Sequence, residues 1–182
     1  MKRRRLLRYS IGWAALSSVS VGSLLFAAGE MQNPEVRTPQ SETASASDSA
    51  WDRSAAEKAT HRNINSMRQA MGESALMWRD DVAAAAREYA QALADAGQLT
   101  HTLDGTNPTQ RYQRAGIADF NGENIHQTWW RQKLTTDAGR LTSPDQFGDA
   151  VAQQWFESAS HRKNIMRPGN SAEGIGVARS GS

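Results

Sequence analysis

Phe120-Asn121-Gly122-Glu123-Asn124-Ile125 and Ser160-His161-Arg162-Lys163-Asn164-Ile165 are the two stretches on which the reading of this chain turns. The first reads as a turn leading into a short strand, because Asn and Gly accept turn conformations before the apolar residue returns to a core. The second lies in what reads as a loop from Ser158 to Gly169. That loop follows a helix in which Phe147, Val151 and Trp155 recur every four residues after the capping start Ser143-Pro144-Asp145-Gln146.

Three more helices precede these stretches. Ser54-Ala55-Ala56-Glu57 has the form of a capping box, Ile64, Met67 and Met71 follow on one face, and Gly72 can end the helix. Asp80 is placed to cap a second helix with Val82, Ala86, Tyr89, Ala90 and Leu93 on one face and Gly97 at its end. Asn107-Pro108 opens a short third helix that closes at Gly116. Gly174-Ile175-Gly176-Val177 reads as a strand. Helices, strand, helix, strand is an α+β order, not a βαβ alternation. The many interior alanines permit close helix packing.

The chain has 182 residues, with 22% charged and 38% hydrophobic. Its mean hydropathy of −0.66 excludes a multi-span membrane protein. The absence of cysteine excludes a disulfide scaffold, a Cys nucleophile and an iron–sulfur centre. An isoelectric point near 9.2 suggests a basic protein. Lys2, Arg3, Arg4, Arg5 and Arg8 supply much of that charge, and from Trp51 onward there are 15 basic and 15 acidic residues. A neutral body gives no footprint for nucleic acid.

The N-terminus reads differently from the rest. A basic flank is followed by the uncharged run Tyr9–Gly29. Residues 1–29 therefore read as a signal peptide, with Ala27-Ala28-Gly29 for cleavage, or as an uncleaved transmembrane signal anchor. The arginine run also fits a twin-arginine signal loosely. Residues 30–50 are rich in Ser, Thr and Ala and read as a flexible linker, leaving 51–182 as the folded domain. The expected location is secreted, or anchored to the outer face of the cytoplasmic membrane.

His101, Glu123 and His161 stand out as polar residues in loops or at element ends. Two neutral imidazoles and a carboxylate are a partial ligand set for a divalent metal such as zinc. They can equally form a proton-coupled network. Gaps of 22 and 38 residues fix no geometry, so by pattern alone three scattered loop polars is the better reading.

GENI at 122–125 and HRKNI at 161–165, in this order, resemble the CAP superfamily of cysteine-rich secretory proteins, antigen 5 and pathogenesis-related proteins. THRNINSMRQAMG resembles that family's opening helix, and LMWRDDVAAAAREYAQAL its second, with Val82 in place of a Leu. Gln110-Arg111 to Gly116 resembles the segment before the GEN turn, and Trp155 with Ser158 the helix before the second histidine. The resemblance covers about residues 60–177 and points to a small cysteine-free prokaryotic-type member. It implies an αβα sandwich, with a small antiparallel sheet between helices, lacking the last strand if the chain stops where it does. It also implies a central cleft lined by His101, Glu123 and His161. Glu157 is the nearest candidate for a second acid, although its offset from Trp155 is one residue short. His61 is expected to serve packing, and His126 to alternate away from the cleft. Trp129–Thr142 has no counterpart in the family. Trp129 and Trp130 there either pack or touch a ligand, and packing is favoured.

The leading functional reading is a binding module outside the cytoplasm. His101 and His161 would hold the ion, Glu123 would orient them, and the cleft ligand would be a lipid, glycan or peptide. The alternative is a metal-dependent hydrolase of peptides or esters with Glu123 as base. A third reading has the cluster only pinning loops together.

Overall fold

A computed structural model describes residues 8–17, 52–129 and 141–180. In chain order these residues form β1 (Arg8–Ser17), α1 (Arg53–Ala70), β2 (Met77–Trp78), α2 (Asp80–Ala96), α3 (Pro108–Arg114), β3 (Phe120–Trp129), α4 (Pro144–Glu157), α5 (Ala159–Ile165) and β4 (Asn170–Ser180). The cleavage triplet 27–29, the linker 30–50, Trp130 and most of the 129–142 stretch lie outside the described residues.

Helix boundaries follow capping chemistry. In α3, Asn107 and Gln110 form a reciprocal capping box with Pro at the start. In α4 the Ser143 hydroxyl accepts from the Gln146 N–H at 3.2 Å. Helix α2 ends at Gly97, whose φ of 63° turns the chain left-handed and returns N–H groups to the carbonyls of Leu93 and Ala94. Helix α1 begins earlier than its Ser54 signal suggests. Asp52 caps it by accepting from the Ala55 N–H at 3.0 Å, and Glu57 is buried instead of reaching back.

The expected loop at 158–169 contains α5. Seven residues, of which only Ile165 is buried, carry too little apolar periodicity to signal a helix. It forms because α4 stops at Ser158 and the Ser158 carbonyl at once accepts from the Arg162 N–H at 2.8 Å.

The sheet order is β2-β4-β1-β3. The small antiparallel sheet expected from the sequence is therefore corrected. β2 is parallel to β4, and β3 and β4 each run against β1, so β2, β4 and β3 share one direction in an open sheet. The connection from β3 to β4 passes through α4 and α5, and a helical crossover returns a strand in the same sense where a hairpin reverses it. The strand expected to be missing is also accounted for differently: residues 8–17 occupy a central place in the sheet. A transmembrane helix is likewise overturned. The start of that uncharged run is strand, and no helix among the described residues is long and apolar enough to cross a membrane.

Strand β4 divides the core between two faces. Ile175 and Val177 join Ile64, Phe147, Val151 and Trp155 beneath α1 and α4. On the other face Ala172 packs with Val82, Tyr112 and Ile117, and Ala178 with Ala90 and Ala94 of α2. This two-sided arrangement is the αβα layering that the resemblance implied. The α2 side is held at backbone distance. A Cβ at Gly174 would lie 2.2 Å from the Ala83 nitrogen, and one at Gly176 would lie 2.1 Å from the Arg87 nitrogen.

Relief of either contact would require α2 to move off the sheet. Gly176→Ala is expected to lower stability by about 1–3 kcal/mol or more, as overpacking against fixed backbone does. Thermal denaturation checks this, and a melting temperature equal to that of the parent would show that α2 can shift freely.

Candidate functional site

His101 lies in the segment after the Gly97 turn, and two side chains fix that segment. The Tyr89 hydroxyl donates to the Thr100 carbonyl at 2.6 Å and accepts from the Leu103 N–H at 3.2 Å. Arg111, on α3, donates to the carbonyls of His101 at 2.8 Å and Thr106 at 3.0 Å. The Arg111 guanidinium also lies 3.3 Å from the centre of the Tyr89 ring, a cation–π contact.

Glu123 is the centre of the arrangement. Its side chain is 1% exposed. Both carboxylate oxygens accept from Arg111 Nη2, at 2.8 and 2.9 Å, and Oε1 also lies 2.7 Å from His101 Nδ1. A carboxylate held this way fixes the imidazole with its proton on Nδ1, leaving Nε2 as the free acceptor. The His101 ring is 45% exposed, so the fixed imidazole is open to solvent.

Alternation along the edge strand β3 puts its neighbours on the opposite face. Ile125, on the Glu123 side, packs with Tyr89, Leu93 and Leu103. Asn124, on the other side, donates to the His161 carbonyl at 3.1 Å and accepts from Asn164 Nδ2 at 2.9 Å. Asn164 also donates to the Glu123 carbonyl at 3.4 Å. The GENI and HRKNI stretches are thus laced together by their two asparagines, and the site wraps round the sheet edge. Helix α5 is held from its C-terminal end by buried Arg68, which donates to the Ile165 carbonyl and to the Ser74 carbonyl. A cation there complements the helix dipole.

The half-buried His161 titrates below the ordinary histidine range, first through burial and then through the charge of His101. Its imidazole is therefore biased to the neutral form, the form that binds metals. His126 is pushed down to about 4, mainly by burial and further by His161, and its Nε2 has no hydrogen-bond partner among the described residues.

The structure thus joins His101 directly to Glu123 and ties the His161 backbone to the neighbouring Asn124. Glu157 stands apart, exposed at the end of α4, where it accepts from Gln153 of its own helix at 3.0 Å. His61 bridges from α1 to fully buried Glu173, with Nδ1 and Oε1 2.6 Å apart. Arg111 and Arg68 were not singled out by sequence reasoning. Neither belongs to an apolar stripe or a metal-ligand pattern, and only the Asn107–Gln110 capping box signalled a rigid platform for Arg111. Among the described residues no group of three or more His, Cys, Asp or Glu side chains is arranged to hold a metal ion. Between α2 and α3 runs a groove of about 470 Å³ lined by Tyr89, Leu103, Arg111, Arg114 and Glu88 with several alanines; it shares Arg111 with the Glu123 clamp, and His101, Glu123 and His161 are not among its lining residues.

The profile of the cysteine-rich secretory protein family, CAP, matches residues 61–182. The chain belongs to the CAP family. No curated protein matches it. Among solved structures, an outer surface protein from Borrelia burgdorferi is similar, with 18% identity, a TM-score of 0.47 and coverage of 72% of this chain and 97% of that one. The CAP domain carries the paired GENI and HRKNI stretches without any cysteine.

Two measurements test the electrostatics of this domain. Arg111→Ala leaves the Glu123 carboxylate buried without its two-pronged partner, and a loss of about 3–5 kcal/mol in denaturant unfolding is expected. Exposed Arg114→Ala on the same helix should change stability by under about 0.5 kcal/mol. His126 sets a pH dependence. An unfolded histidine takes up its proton near 6.5, whereas folded His126 does so only near 4. Between those values the unfolded state binds more protons, so stability falls as pH drops through that window, by up to about 3 kcal/mol. Unfolding at pH 7 and pH 4.5 should show this fall, and His126→Gln should reduce it.

Proposed function

We propose that this CAP domain is a binding module that works outside the cytoplasm, with His101 and His161 as the protein ligands of a divalent cation such as zinc. Glu123 acts behind His101 as the group that sets its tautomer and direction. The observation that carries this reading is the clamp on Glu123: Arg111 and His101 together engage its carboxylate and leave His101 Nε2 open. The depressed titration of His161 supports it, because a neutral imidazole is needed at that position too. Two imidazoles leave about two of the four positions of a tetrahedral zinc ion for oxygen atoms of a ligand. The groove between α2 and α3 is within the roughly 300–1,000 Å³ range typical of ligand pockets and is lined by alanines, Tyr89 and Leu103 together with the charged side chains of Glu88, Arg111 and Arg114. A lipid, glycan or peptide fits those terms. A place outside the cytoplasm is the expectation for a member of the cysteine-rich secretory protein family.

Hydrolysis is the weaker reading. A general base has to meet the attacking water, and the Glu123 side chain is 1% exposed behind Arg111 and His101.

Zinc titration of the full chain by calorimetry tests the proposal. A His101→Ala/His161→Ala double variant should lose affinity at least tenfold. Glu123→Gln, which keeps the shape and removes the charge, should lose about tenfold, in the range for a group behind a ligand. Equal zinc affinity in the parent and the double variant would remove the cation from the reading.

A further inference from the structure

Residues 8–16 are paired on both sides, and Ser17 on the β4 side alone. From Arg8 to Leu16 they pair with residues 129 to 120 of β3, and from Arg8 to Ser17 with residues 180 to 170 of β4. No direct pairing joins β3 to β4, so β3, the strand that carries Glu123 and Asn124, enters the sheet only through β1. The same residues begin the uncharged run that reads as an export signal. One segment cannot lie in the sheet and be discarded after export.

We propose that the space between β3 and β4 is a strand-accepting groove whose occupant is the chain's own segment 8–17, retained in the mature protein as a structural strand. Three features support this occupant over a strand from elsewhere. The segment is free of charge from Tyr9 to Ser17, which suits a strand flanked on both sides in a two-faced core. The 34 residues between Ser17 and Asp52 allow a reach on the order of 100 Å, so connection imposes no strain. Antiparallel pairing to both neighbours satisfies the N–H and C=O groups that β3 and β4 would otherwise leave open along an edge, where any extended segment can add. Retention thus closes an aggregation-prone edge and anchors the Glu123 strand at once.

The test uses the full chain with a protease recognition sequence inserted after Gln40. After cleavage under native conditions, the 1–40 fragment should co-elute with the remainder on gel filtration and separate only in denaturant. Gly12 lies at the middle of β1, opposite both Ile125 and Gly176. Gly12→Pro removes a ladder N–H from a central strand and should release the fragment after the cut. Separation of the parent fragment without denaturant would overturn the proposal. Retention of the Gly12→Pro fragment would do the same, because it would mean apolar adhesion instead of strand pairing. Hydrogen exchange on the uncut chain gives a reading independent of solubility after cleavage. Amides of 8–17 should exchange at least a hundredfold more slowly than those of 30–50, and equal rates would overturn the proposal.

Discussion

A buried carboxylate has to be neutralised where it lies, and in this domain Glu123 organises its surroundings for that reason. Desolvating the charge without a partner would cost several kcal/mol. Arg111 supplies a two-pronged partner from α3, and the same guanidinium reaches the carbonyls of His101 and Thr106. One ion pair therefore fixes three things together: the edge strand, the helix before it and the segment that holds His101. The imidazole then completes the shell of the carboxylate at 2.7 Å. The fixed direction of His101, on which a binding role depends, is a by-product of burying Glu123.

The same logic recurs at three other buried charges, each tying separate elements. Glu57 of α1 accepts two-pronged bonds from Arg87 of α2 and a third from the Val177 N–H of β4 at 3.1 Å. Glu173 of β4 is fully buried, and burial holds its carboxyl above the usual range while His61 of α1 draws it back. Arg68 of α1 stops α5 by donating to its last carbonyl. Helices that meet the sheet through alanine and glycine bury little apolar area per contact. Long charged side chains with directional partners on other elements add the specificity that so smooth an interface lacks.

The close approach of α2 to β4 is the second constraint. With Gly174 and Gly176 facing Ala83, Ala86 and Arg87, the helix backbone rests on the strand backbone. Tyr89 and Leu93 are carried on that helix, and Tyr89 fixes the segment around His101 through the Thr100 carbonyl and the Leu103 N–H, so the spacing of helix and sheet bears on where His101 sits.

Much of this was legible in the chain. Local signals with their own chemistry, such as the Asn107–Gln110 capping box, the Ser143 cap and the Gly97 stop, work within a few residues and mark the helices correctly. The GENI and HRKNI stretches announced the family, and with it the meeting of His101 and Glu123. Strand direction, helix α5, the service of Arg111 and Arg68, and the strand at 8–17 were not legible. Direction depends on which face a crossover takes, and an ion-pair partner is chosen by distances between elements far apart in sequence. An uncharged run has the same composition whether lipid, a peptidase or two strands receive it. The sequence alone determined helices α1 to α4 and the family, because caps act over a single turn and motifs over a few residues. Tertiary structure decided what neutralises Glu123, which way the strands run and what fills the sheet, because each depends on groups brought together only when the layers close.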